Sequence, residues 1–80
     1  MTKAEQSLDY LRTSRAMPWV ELGMKVVING KPAVLVGGDD SLVIRYDGER
    51  AKRRAHPFWK TQYFDREGNL IAVDGKLVMP

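Results

Sequence analysis

The 80-residue sequence has no cysteine. That excludes a disulfide framework and any thiolate metal site, so a domain this small must be held by packing alone, which suits a reducing compartment such as the cytoplasm. Imidazole is scarce as well: His56 is the single histidine, and a zinc site built from it would need carboxylates for the remaining ligands, an uncommon donor set. Long apolar runs are also missing. The stretches Val26 to Ile28 and Val34 to Val36 fall far short of the roughly 18 residues of a membrane span. At the N-terminus Lys3 is followed by polar residues, without the apolar segment of a secretory leader. The expectation is a cytoplasmic chain with no membrane partner.

Signatures of catalysis are equally thin. Ser7, Ser14 and Ser41 lie outside any Gly-x-Ser-x-Gly elbow. Gly37-Gly38 lacks the Gly-Lys-Ser/Thr of a phosphate-binding loop and the third glycine of a dinucleotide fingerprint. Asp39-Asp40 lacks the alternating spacing of a calcium loop. These absences predict a protein that is not an enzyme and uses no small-molecule cofactor.

What is present is an ordinary globular composition, 44% hydrophobic and 29% charged, with thirteen basic against ten acidic residues and a net charge of +3. A chain of this size buries only about 60% of its unfolded surface, enough for one domain over residues 1–80 with one core. Thr2-Lys3-Ala4-Glu5 reads as a capping box. Ala4, Leu8 and Leu11 follow as an apolar stripe at helical spacing, and Pro18 forbids continuation. The spacing predicts a helix over residues 2–17, docked through Leu8 and Leu11 on whatever follows.

From Leu22 onward the period is that of strands, with turn signals every eight to twelve residues. Asn29-Gly30 between Val26-Val27-Ile28 and Ala33-Val34-Leu35 predicts a tight type I′ hairpin. In that register Pro32 falls opposite Val27. Gly37-Gly38-Asp39-Asp40 reads as the next turn and Ser41 to Tyr46 as a strand. Asp47-Gly48 reads as a second two-residue hairpin leading into a strand from Glu49 to His56. After Pro57 come Thr61 to Phe64, a turn at Asp65 to Gly68, Asn69 to Val73, Asp74-Gly75, and Lys76 to Met79. The prediction is a mainly β fold in which residues 22–79 form a small antiparallel barrel of five or six short strands, because closure removes free edges. The helix then covers the barrel's open end.

Gly23 to Gly37, with Gly23, Val26, Ile28, Gly30 and Lys31 in sequence, resembles the opening hairpin of KOW and Tudor-like members of the small Src-homology-3-like barrels. A second glycine usual after the turn is Ala33 here. The longer segment ending in His56-Pro57-Phe58-Trp59 and Tyr63-Phe64-Asp65 is similar to small phage and prophage proteins. The first resemblance implies a barrel that binds nucleic acid, ribosomal components or peptides. The second implies a host-cytoplasm setting and no particular activity.

The sharpest functional signal lies between Arg50 and Lys60, where five basic residues and no acid occur. Alternation puts Arg50, Lys52 and Arg54 on one face. If Asp47-Gly48 is a two-residue turn, Arg45 faces Arg50 on that same side, an opposition of like charges that structure alone does not favour. Phe58 and Phe64 are expected in the core, which leaves Trp59 as a surface on which a base can stack. His56 is expected to hydrogen-bond locally, and Trp19 to join the helix to the barrel. The reading is a binding domain that contacts DNA or RNA with low sequence specificity through Arg45, Arg50, Lys52, Arg54 and Trp59. Two alternatives stand beside it: a phage-type adaptor docking on an acidic host protein, and a strand-addition binder using the edge near Lys76 to Met79. Lysines and arginines on an edge strand also serve simply to prevent sheet-to-sheet association.

Overall fold

In the computed structural model, which describes residues 3–78, the helix α1 (Lys3–Ser14) buries Leu8 and Leu11 completely. The capping-box residue Thr2 lies outside the described residues. What ends the helix is not Pro18. Ala16 adopts the left-handed conformation at φ 54°, and Met17 N–H closes back on the Arg12 carbonyl at 3.0 Å while Arg15 N–H reaches Leu11 at 3.0 Å. This is the six-to-one closure of a Schellman-type cap, with alanine where glycine is usual. It turns the chain inward and delivers Met17 to the core. Arg12 Nε then donates to the Val20 carbonyl at 2.9 Å, tying the connection back to the helix.

Seven antiparallel strands follow: β1 (Lys25–Ile28), β2 (Lys31–Gly38), β3 (Leu42–Tyr46), β4 (Arg53–Ala55), β5 (Thr61–Phe64), β6 (Leu70–Val73) and β7 (Lys76–Leu77). They form one sheet in the order β4-β3-β2-β1-β5-β6-β7. The strands from β1 to β4 make one meander and those from β5 to β7 another, joined by a crossover that lays β5 beside β1. The edges β4 and β7 do not pair with each other, so the sheet is open where closure was expected. Seven strands are found where five or six were expected; the last, Lys76–Leu77, pairs with β6 within the expected segment Lys76 to Met79, whose Met79 lies outside the described residues. No helix among the described residues is long and apolar enough to cross a membrane.

Three Xaa-Gly turns behave in two ways. Asn29 and Gly30 have φ values of 51° and 80°, and Asp74 and Gly75 have 51° and 83°. Both pairs satisfy the two positive φ angles of a type I′ turn and make tight hairpins. The first gives the expected register, Val27 opposite Pro32. At the third, only Gly48 is positive, at 85°, and Glu49 N–H bonds the Tyr46 carbonyl at 3.0 Å. That is a type II pattern, whose twist splays the flanking strands instead of pairing them. The expected strand from Glu49 therefore shrinks to Arg53–Ala55, after a loop.

Gly37 and Gly38 are strand residues, not a turn. A Cβ on Gly38 would stand 2.8 Å from a Leu11 methyl and 3.3 Å from a Leu8 methyl; the absent side chain is the seat of the helix. A register shift between Leu35 and Gly37 bends β2 at the same place.

Leu8, Leu11, Met17, Val20, Val26, Ile28, Ala33, Leu35, Leu42, Ile44, Tyr63 and Ala72 form one buried cluster. Trp19 packs edge-on to Tyr63 with ring centres 4.8 Å apart, so it joins the helix connection to the sheet as expected. Beneath these rings the crossover is fixed at one atom. The Pro57 carbonyl accepts from the Tyr63 hydroxyl at 2.7 Å and the Thr61 hydroxyl at 2.8 Å. Burial pushes the Tyr63 hydroxyl up to about 12.

Two expectations follow. Replacing Ala16 by Gly relieves the left-handed alanine and should raise stability by about 0.5–1 kcal/mol after the extra unfolded-state entropy is allowed for, read as an increase in thermal midpoint. Tyr63→Phe should cost about 1 kcal/mol, and Thr61→Val with Tyr63→Phe about 2–3 kcal/mol, because the double change orphans a buried carbonyl. Tyr63 is neutral in the fold, so its contribution is fully present below the ordinary tyrosine value of 10 and is lost as pH rises through about 12. Alkaline unfolding of wild type and Tyr63→Phe should differ in that window.

Candidate nucleic-acid interface

The face that carries the candidate residues is set by β3. Leu42 and Ile44 point to the core and are fully buried, so Val43 and Arg45 lie on the outer side. The observed register pairs Val43 with Arg54 and Ile44 with Arg53. Relative to the expected hairpin it is shifted by two residues. An even shift preserves the face, so Arg54 shares the outer side with Arg45. Arg45 and Arg50 are nevertheless not cross-strand partners, and the expected opposition of like charges does not form: Arg50 and Lys52 lie in the loop that the type II turn opens.

The cations differ in what they already hold. Arg54 grips Asp39 with both terminal nitrogens, at 2.8 and 3.2 Å, and donates to Ser41 Oγ at 3.1 Å. Those bonds, with a further one from Ser41 N–H, hold the Asp39 carboxyl at about 2, well below its ordinary 3.8. Arg53 pairs with Glu49 at 3.2 Å. Arg45, Arg50 and Lys52 are exposed and make no ion pair with any described residue. Residues 45–60 hold six basic and two acidic side chains, a net +4 within a chain of net +3. The basic excess of the protein is thus concentrated here.

Cross-strand pairing extends this face beyond the hairpin. Arg45 pairs with Val34, and Val34 with Lys25. Lys25 therefore joins the same row two strands away, about 10 Å across the sheet, exposed and likewise without an ion pair. Nothing in the sequence near Lys25 marks it; only the register reveals it. A shallow basin of about 470 Å³ on the far side of the loop, lined by Lys31, Tyr46, Asp47, Glu49 and Arg53, mixes both signs of charge.

The aromatic expectations divide. Trp59 is 51% exposed, and the Lys60 ammonium lies 5.3 Å from its ring centre. It belongs to the crossover between β4 and β5, outside the strands and loop that carry Arg45, Arg50, Lys52 and Arg54. Phe58, expected in the core, is 39% exposed. Its ring rests directly on Gly75, in the space a Cβ there would need, with the Arg15 guanidinium 5.6 Å from its centre. Phe64 is half-buried. His56 Nδ1 accepts from Phe58 N–H at 3.0 Å, the local bond expected of it.

Among the described residues no group of three or more His, Cys, Asp or Glu is placed to hold a metal ion. Comparison with protein-family models, curated proteins and solved structures gives no match to the chain.

The Arg54 clamp predicts an acid titration. A carboxyl depressed in the fold stabilises it above the unfolded value, and that contribution is lost as pH falls from about 4 towards about 2. Carboxyl carbon shifts of Asp39 should titrate near 2 in the wild type and return towards 3.8 in Arg54→Gln.

Proposed function

We propose that the outer face of β3 and the loop after it bind nucleic acid, DNA or RNA, with low sequence specificity and without catalysis. The observation that carries this reading is the set of exposed cations with no ion pair among the described residues, Lys25 and Arg45 on the outer face and Arg50 and Lys52 in the loop, beside Arg54 and Arg53, which are already held by Asp39 and Glu49. Phosphates bound by such side chains contribute affinity and salt dependence but no base reading. Trp59 supplies a separate stacking surface on the crossover for a single strand. The same architecture supports reading the open sheet as a relative of the Src-homology-3-like barrels: β1 is the central strand, paired on both sides, and the crossover returns β5 to it.

Three or four phosphate contacts give an expected log-log salt slope of about −2.7 to −3.6 on duplex and about −2.1 to −2.8 on a single strand. Fluorescence anisotropy of a labelled oligonucleotide from low to moderate salt measures it. Changing Arg45, Arg50 and Lys52 together to Gln should abolish binding and leave the amide spectrum of the folded protein intact. Asp39→Asn should work in the other direction: it releases Arg54, tightens binding and steepens the duplex slope by about 0.9. A salt-independent titration refutes the reading. Capture of an acidic host protein after nuclease treatment, lost in the triple variant, would assign the face to a protein partner instead.

A further inference from the structure

At the opposite edge of the sheet, β7 has free backbone groups. Asp74-Gly75 is a two-residue turn, which makes Val73 and Lys76 the hydrogen-bonded pair. Val78 N–H donates to the Ile71 carbonyl at 3.0 Å. Between these bonds the N–H and C=O of Leu77 point away from β6, along the free edge. The side chain of Leu77 pairs across from buried Ala72 and so lies on the core side of the sheet, yet it is 53% exposed. It stands at the seam where the sheet does not close.

A groove of about 920 Å³ runs along this seam, with Phe58, Trp19, Pro18 and Leu77 as its apolar lining. Arg15 and Lys76 are the basic residues of its lining. Arg15 spends one nitrogen on the Asp40 carbonyl at 2.8 Å and lies against the Phe58 ring. Neither cation has a carboxylate partner among the described residues. The one carboxylate of the lining among the described residues, Asp74, is engaged by Thr61 N–H at 2.9 Å.

We propose that the β7 edge is a strand-addition site for an extended peptide in which apolar and acidic residues alternate. The backbone of Leu77 supplies the ladder hydrogen bonds, apolar side chains cover Phe58 and Leu77, and carboxylates meet Arg15 and Lys76. Charge selects the occupant: a second copy of this chain would bring Lys76 and Arg15 against themselves, a like-charge meeting that disfavours self-pairing. This site is independent of the cation row on β3 and stands or falls separately from it.

The probes are three blocked octapeptides of alternating Val with Glu, Gln or Lys, titrated into the isotope-labelled full chain. The Val/Glu peptide should shift the amides of residues 75–78 and slow exchange of the Leu77 amide. The Val/Gln peptide should bind up to about tenfold more weakly, the size expected for two exposed ion pairs, and the Val/Lys peptide not at all. Leu77→Pro removes an N–H that no bond among the described residues uses and should abolish binding with the rest of the spectrum unchanged. Should that variant misfold, Arg15→Gln with Lys76→Gln provides the test by making the Glu and Gln peptides equal. Equal binding of the Lys and Glu peptides, shifts confined to β3 and β4, self-association through β7, or no binding at millimolar peptide would each overturn the proposal.

Discussion

One carbonyl oxygen, that of Pro57, determines how the two halves of the sheet meet. The chain leaves β4 at one edge and must cross to the middle of the sheet before β5 can pair with β1. Two hydroxyls from β5, those of Thr61 and Tyr63, converge on the Pro57 oxygen. Thr61 continues the link: its N–H goes to the Asp74 carboxylate and its carbonyl accepts from Asp74 N–H. Lys60, in left-handed conformation, offers its carbonyl to Asn29 N–H. The crossover is therefore clamped to the β1–β2 turn and the β6–β7 turn at once, and the hairpins on either side are positioned by it. Buried polar groups in such a chain are satisfied only together, which makes the clamp a joint constraint on the positions of three separate segments.

The local parts of this architecture were legible in the residues. Asn29-Gly30 announced a hairpin whose register the structure reproduces, and Leu8 and Leu11 announced the docked face of the helix. Asp47-Gly48 misled because the dipeptide permits a type I′ turn without requiring one. Here Asp47 N–H is taken by the Pro32 carbonyl of β2, a partner from another strand that no local pattern reveals. Gly37-Gly38 misled for a related reason: two glycines suit a turn, but these make room for leucines of a distant helix. Pro18 marks the neighbourhood of the helix end without causing it, since Ala16 terminates the helix before Pro18 can.

The candidate site shows the same division. Strand alternation was enough to put Arg45 and Arg54 on one face, and it survived the two-residue shift in register. Alternation could not show that Asp39, fifteen residues from Arg54, neutralises that arginine, or that Lys25 joins Arg45 through Val34. Both facts depend on which strands are neighbours. The size of Phe58 favours the interior, but its position depends on Gly75, whose missing side chain gives the ring a resting surface at the rim.

The crossover also constrains the order in which the chain can assemble. Contacts within each meander are close in sequence and form quickly, whereas Ile28 and its partner Thr61 can meet only after a long loop has closed, an entropic cost that slows folding. Until that moment β1 has one edge unpaired, with Val26 and Ile28 side by side, and β5 waits with a free edge of its own. The interval before docking is the aggregation-prone stage of this protein's life, and β1, the strand most completely enclosed in the finished fold, is the one most at risk during it.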